Sequence, residues 1–298
     1  MTPNQFRVLT PSSVWESPVV VGAFIARPAP TSVQVLLSDM SLSPTTEVKD
    51  LFLDSCHSNL MNKVRYLLTQ GANVNWKRDS NGCSGLHIAA ARDYRELLEL
   101  LLCQTGVDVN ITSYRDMTPL MWACSQDHEN IVRRLCQVRG IDLNIKDDTG
   151  RTALHWAVFQ NNSRCVEVLT EVHGVLDWNI TTNAGHNPLK RAVEFGYADI
   201  LQTLLSVPHL DVSVTDGRGR TVAQIAVEEE RGERQRCVEI LSRDRRVDWN
   251  MKNSDGDTPV MFCLKNNKIE MARCLINTPG VDLDTVDRDG KYLETIAR

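Results

Sequence analysis

Two histidines occupy the settings where chemistry would first be sought. His87 closes Ser84-Gly85-Leu86-His87, and His155 closes Thr152-Ala153-Leu154-His155. An imidazole three residues after a hydroxyl is a natural acid, base or ligand, because it titrates near neutrality. His57, His128, His173, His186 and His209 share no spacing that suggests a metal site, so no metal is expected. Cys165 and Cys237 have Arg164 and Arg236 beside them, and a reactive thiol needs such an electropositive setting. Cysteine is also among the most buried residue types, and plain burial is the favoured reading of both. Gly217-Arg218-Gly219 is a bare G-x-G. No phosphate-binding glycine loop, His-Glu-x-x-His or Cys-x-x-Cys accompanies it, so the chain is expected to be neither an enzyme nor a cofactor binder.

The elements that position these residues follow a comb of small side chains. Ala89, Ala123, Ala157, Ala192, Ala226, Cys263 and Ala297 are separated by 34, 34, 35, 34, 37 and 34 residues. A period of about 33 residues marks a stacked repeat array. Gly82, Gly150, Gly185, Gly219, Gly256 and Gly290 repeat on the same grid, with Asp116 in the one slot that lacks glycine. Each unit closes on a phrase such as Asn73-Val74-Asn75, Asp108-Val109-Asn110, Asp142-Leu143-Asn144, Asp177-Trp178-Asn179 or Asp248-Trp249-Asn250.

Thr118-Pro119-Leu120-Met121, Thr152-Ala153-Leu154-His155, Asn187-Pro188-Leu189-Lys190 and Thr258-Pro259-Val260-Met261 resemble the T-P-L-H-x-A signature of the ankyrin repeat. The resemblance covers roughly residues 47–298. It implies an all-α solenoid of about seven helix-turn-helix repeats joined by short hairpin loops. The repeats lie near 47–77, 78–113, 114–147, 148–182, 183–215, 216–252 and 253–286, with a partial unit at 287–298. Residues 1–45 lie off the grid and are rich in Pro, Ser, Thr and Val, which predicts a flexible tail. The first unit lacks the signature and reads as a cap, with Ser55 and Cys56 in the small slots. The sixth carries Thr221-Val222-Ala223-Gln224 and a three-residue insert within 228–234, so either a longer first helix or a protruding loop fits there. The last breaks off after its first helix, which leaves a longer parent protein open.

Seven residues after the signature Leu come Asp93, Asp127, Asn161, Gly196 and Asn267. Gly, Asn and Asp tolerate the left-handed conformation, so each slot predicts the stop between two helices. In the signature slot, His87 and His155 are expected to hydrogen-bond across the turn to Ser84 and Thr152 rather than to do chemistry. The comb is expected to pack first helices against second helices and against the next repeat, where extra bulk would cost about 1–3 kcal/mol.

Bulk properties agree with a binding module. The 298 residues are 42% hydrophobic and 24% charged with a net charge of −5, which disfavours a general nucleic-acid binder. The longest apolar run, Pro18 to Ala26, is nine residues, against the roughly 18 needed to span a membrane. Only Arg7 precedes it, a poor match to a secretory leader, and the odd count of nine cysteines points to a reducing compartment: cytoplasm, with the nucleus as alternative.

The resemblance implies a protein partner bound on a concave face of hairpin tips and first helices, by a monomeric scaffold or adaptor. The alternative is a regulatory or targeting region of a larger protein, such as an enzyme or ubiquitin-ligase component. The slot before each comb residue holds Ile88, Trp122, Trp156, Arg191, Ile225, Phe262 and Ile296. Trp and Arg dominate interface hot spots, which makes Trp122, Trp156 and Arg191 an anchor strip, joined by Phe262. Equally, bulky residues there could simply cover neighbouring helices. Hairpin tips add Trp76, Lys77, Tyr114, Arg115, Lys146 and Arg218, whereas Trp178 and Trp249 are expected to pack within the loops. Arg231, Arg234, Arg236, Arg243, Arg245 and Arg246 crowd the sixth repeat, either for an acidic partner or as a solvated face balanced by Glu228, Glu229, Glu230 and Glu233. The resemblance also implies that an asparaginyl hydroxylase could act on Asn110, where Leu102 and Asp108 match the pattern that precedes the modified residue.

Overall fold

The computed structural model describes residues 46–172, 176–216, 219–228, 233–286 and 289–290. Fourteen helices form among them, two to each of seven repeats. They are α1 (Thr46–His57) and α2 (Met61–Thr69), α3 (Gly85–Ala91) and α4 (Arg95–Leu102), α5 (Pro119–Ser125) and α6 (Glu129–Cys136), α7 (Ala153–Phe159) and α8 (Ser163–Thr170), α9 (Pro188–Phe195) and α10 (Ala198–Leu205), α11 (Val222–Glu228) and α12 (Arg234–Leu241), and α13 (Pro259–Lys265) and α14 (Ile269–Ile276). The tail 1–45, His173, Gly217-Arg218, the 229–232 part of the insert with Arg231, and residues 287–288 and 291–298 of the final unit, with Ile296 and Ala297, lie outside the described residues.

The helices start and stop where backbone chemistry directs. Ser84, Thr118, Thr152, Asn187 and Thr258 sit in extended conformation immediately before a first helix, as cap residues do. Between the two helices of a repeat, Asn59, Asp93, Asp127, Asn161, Gly196 and Asn267 all have positive φ, from 52° to 72°. The left-handed residue turns the chain back and lets the second helix lie against the first. At Gly150 (φ +80°) a Cβ would meet the Asn183 backbone nitrogen at 2.6 Å, so this hairpin can nest against the next one only with glycine there.

Every described tooth of the comb is buried: Ala89, Ala123, Ala157, Ala192, Ala226 and Cys263 are each 0% exposed. One apolar core runs from Phe52 in the first repeat to Leu275 in the seventh. Each unit therefore buries its apolar surface on its neighbours, which is the stability logic of a solenoid.

Polar ladders tie the hairpins together. Asn110 Nδ2 donates to the Gly140 carbonyl at 2.8 Å and its Oδ1 accepts the Asp142 N–H at 2.9 Å. Asn75 and Asn250 make the same two bonds one repeat onward, and Asn179 bonds His209 and Asp211. The signature histidines form a second ladder. Ser84 donates through both N–H (3.1 Å) and Oγ (2.9 Å) to His87 Nδ1, and His87 Nε2 donates to the Met117 carbonyl of the next repeat at 2.8 Å. Thr152, His155 and the His186 carbonyl repeat the pattern. This network fixes the neutral Nε2–H tautomer. Burial pushes both pKa values down to about 4, and the nearby Lys77 for His87 and Arg151 for His155 act in the same direction. In repeat 6, Gln224 does the same work: its Oε1 accepts from Thr221 N–H at 2.9 Å and its Nε2 donates to the Met251 carbonyl at 3.1 Å.

Candidate protein-docking surface

The first helices and hairpins build one face, and its character changes along the array. In repeats 1 and 2 it is closed by its own side chains. Arg78 pairs with Asp54 at 2.6 Å and Arg92 Nη2 donates to His57 Nε2 at 2.7 Å, around a space of only about 40 Å³ bordered by Trp122. Between repeats 4 and 5 the face opens into a cavity of about 480 Å³, lined among others by Arg151, Phe159, Asn183, His186, Asn187 and Arg191. That volume is within the range of ligand-binding clefts.

Local sequence explains the opening. Asp147 sits four residues before Arg151. Its Oδ1 accepts from Thr149 N–H, Thr149 Oγ1 and Arg151 N–H, and its Oδ2 accepts the Trp156 indole N–H at 2.9 Å. With both oxygens engaged, the Arg151 guanidinium lies instead over the rings of Trp156 (5.1 Å) and Phe159 (4.7 Å). Arg191 reaches the same Phe159 ring from repeat 5 (4.8 Å) and stacks on Phe195 (3.8 Å). Cations over aromatic faces are attracted by about 0.5–2 kcal/mol, more as water is excluded. The two guanidinium carbons are thus no farther apart than the sum of their distances to Phe159.

Several polar groups around this cavity lack acceptors. Asn187, 2% exposed, caps α9 through Oδ1, which accepts Lys190 N–H at 2.8 Å; its buried Nδ2 has no partner. Arg191 Nε and His186 Nδ1 are likewise buried and unbonded. Arg191 Nη1 stands 3.7 Å from Glu194 Oε2, an ion pair too long for a hydrogen bond. Burial lowers the Arg191 pKa, and burial followed by Lys190 lowers that of His186, which stays neutral at pH 7. Asp148 borders the cavity and is paired with Arg115 at 3.3 Å.

The expected contact residues separate into groups. Arg191 borders the cavity, Tyr114 is 64% exposed, and Arg115 is exposed. Trp156 corrects the anchor-strip expectation: at 5% exposure, with its N–H bound to Asp147, it has little surface to offer a partner. Trp122, Phe262 and Trp76 are half-buried against the core; Trp76 packs edge-on to Phe52 at 6.0 Å, and Lys268 Nζ sits 5.4 Å from the Phe262 ring. Trp249 is buried, as expected, and Trp178 half-buried. The asparagine amide of Asn110 is bonded on both sides, so a modifying enzyme would need the hairpin opened.

Of the described repeat-6 arginines, Arg236, Arg243, Arg245 and Arg246 are exposed, and Arg243, Arg245 and Arg246 border one opening together with Asp244 and Asp248, whereas Arg234 is buried. Arg234 is 6% exposed and donates to the Ile225 and Glu194 carbonyls. Arg246 pairs with Asp244 and donates to the Leu205 and Val207 carbonyls at the end of α10. Arg236 bridges Asp199 and Glu233. Both candidate thiols are buried. Burial pushes Cys237 up to about 11 despite Arg234 and Arg236, and Cys165 is buried with its Sγ 3.5 Å from Asp127. No disulfide joins the cysteines, and no group of three or more His, Cys, Asp or Glu suited to a metal occurs among the described residues. No described helix is long and apolar enough to cross a membrane.

Arg151, Phe159 and Asn187 escaped the sequence reading. Their signal was a departure from the signature: repeat 5 has Asn187 where Ser or Thr stands in repeats 2 to 4, 6 and 7, and Lys190 where repeats 2 and 4 have His.

Comparison with known proteins agrees with this architecture. A family described as ankyrin repeats (3 copies) matches residues 29–113, 51–147, 112–175 and 138–216, and one described as ankyrin repeats (many copies) matches 230–276. The chain belongs to the ankyrin repeat family, whose repeats mediate protein–protein interaction; the matches indicate no catalytic family. It is also similar to an I-Kappa-B like protein C2 of Microplitis demolitor bracovirus (isolate Webb), with 36% identity over 64 residues, 22% of this chain and 35% of that protein. The chain thus spans about a third of that relative's length.

Proposed function

We propose that the protein is a non-catalytic scaffold or adaptor that docks a partner protein on its first-helix and hairpin face, centred on the cavity between repeats 4 and 5. The observation that carries this reading is the 480 Å³ opening, where Arg151 and Arg191 share the Phe159 ring and buried donors lack acceptors. Buried unpaired groups are costly enough to need a reason, and Asn187 Nδ2, Arg191 Nε and His186 Nδ1 gather at this one opening. Arg191 is the central contact, with Tyr114 and Arg115 at the exposed hairpin of repeat 3 extending the surface.

Hydrogen exchange tests the face. A segment selected from a displayed peptide library on the full chain should protect amides in the hairpins near 147–151 and 182–186. Protection confined to the second helices would contradict the proposal.

A further inference from the structure

We propose that the cavity between repeats 4 and 5 receives a carboxylate side chain, Asp or Glu, from the docked protein segment. Arg151 and Arg191 would supply the charge, and Asn187 Nδ2 with Arg191 Nε would donate hydrogen bonds. This rests on the docking reading above and adds the chemistry of what docks.

Three observations converge. First, two unpartnered buried donors stand against one unpartnered buried acceptor, Glu194 Oε2. Asn187 Nδ2 and Arg191 Nε are buried donors without partners, and the Asn187 amide cannot be reversed because Oδ1 is committed to the helix cap. A carboxylate is acceptor-only, with about four lone-pair sites. Second, the array neutralises these cations only in part. No carboxylate among the described residues pairs with Arg151, and Arg191 meets only Glu194, at 3.7 Å. Third, the cations are held ready. Stacking on Phe159 and Phe195 keeps both guanidiniums at the cavity, so little side-chain ordering remains to be done on binding.

The charge count favours a monoanion. Asp148 and Glu194 stand close by, and both would repel a phosphate carrying nearly two charges more than a carboxylate carrying one. Trp156 is the positioning residue. By holding Asp147 Oδ2 it withholds from Arg151 the counterion that stands four residues before it.

The test uses a synthetic array of random 12-residue peptides probed with the full chain. Bound peptides should be enriched in Asp or Glu. In each, one acid-to-amide replacement should raise Kd at least about tenfold, the size expected for hydrogen bonds to a charged group. The same replacement should have no effect on binding to Arg191→Gln. Asn187→Thr, which restores the residue found in that slot of other repeats and keeps the cap, should weaken acid-bearing peptides alone. Trp156→Phe should weaken them too, and Asp147→Asn added to it should restore them, an effect that packing alone would not produce.

A bound set with no acid enrichment, no bound set at all, or acid-to-amide changes within about twofold would overturn the carboxylate assignment. If affinity then still falls with Phe159→Ala, docking on this face stands. If Phe159→Ala and Arg191→Gln both leave affinity unchanged, the docking reading falls with it.

Discussion

Arg151 in repeat 4 and Arg220 in repeat 6 hold one register position, just before the threonine that opens the first helix, each with an aspartate four residues earlier. In repeat 6, Asp216 Oδ2 pairs with Arg220 at 2.6 Å and Glu228, eight residues on, closes the other side. In repeat 4, Asp147 Oδ2 is taken by Trp156, and position +8 is Phe159, whose ring holds the cation without neutralising it. Repeat 7 reverses the polarity of the pair and still closes it, Asp257 with Lys265 at 2.7 Å. Whether the cation is paired with a carboxylate is therefore set by the residues five and eight positions beyond it. Ile225 cannot compete for Asp216 as Trp156 competes for Asp147.

The largest effect expected from exchanging these roles is on acid stability. His155 and Gln224 make equivalent bonds, but only histidine titrates. An unfolded imidazole takes up a proton near pH 6.5, whereas folded His87 and His155 do so only near pH 4. Acid thus favours the unfolded chain in that window; the histidines' full contribution holds above pH 6.5 and is lost as pH falls towards 4. The loss should be on the order of 3 kcal/mol per histidine. Urea unfolding at pH 7 and pH 4.5 should show it, and His87→Gln with His155→Gln should flatten the pH dependence while keeping the fold.

Next in size is Arg191→Glu, which places like charge against an acidic segment. Affinity for an acid-bearing peptide should fall at least about a hundredfold, since such juxtapositions cost several kcal/mol; titration calorimetry measures it. Phe159→Glu should convert repeat 4 to the closed state of repeat 6, lowering the same affinity about tenfold with unfolding midpoints unchanged. Smallest is the reverse exchange. Glu228→Phe opens the Arg220 pair and should destabilise the array by about 0.5–1 kcal/mol, as partly exposed ion pairs do, without altering peptide affinity.

Much of this was legible in the residues. The comb residues are buried, and Asp93, Asp127, Asn161, Gly196 and Asn267 take the left-handed turn, because steric and conformational rules act locally and repeat. The bonds from Ser84 and Thr152 to their histidines were legible for the same reason. The further reach of His87 to Met117 was not, since it depends on how repeats stack. Arg151 was missed because its slot has no pattern: Cys83, Met117, Arg151, His186, Arg220 and Asp257 occupy it in turn. Its meaning comes from Trp156 and Phe159, one and two helical turns away. Trp156 was legible as important and misread as a contact, because its indole N–H finds a buried carboxylate instead of solvent.

The most direct measurement compares two arginines on one peptide. Affinity of an acid-bearing segment should be determined for the unmodified chain, Arg151→Ala and Arg220→Ala, with urea midpoints alongside. Arg151→Ala should lower affinity about tenfold and leave stability nearly unchanged, whereas Arg220→Ala should lower stability and leave affinity unchanged. Equal losses of affinity from both, or a loss from Arg220→Ala alone, would contradict this division of roles.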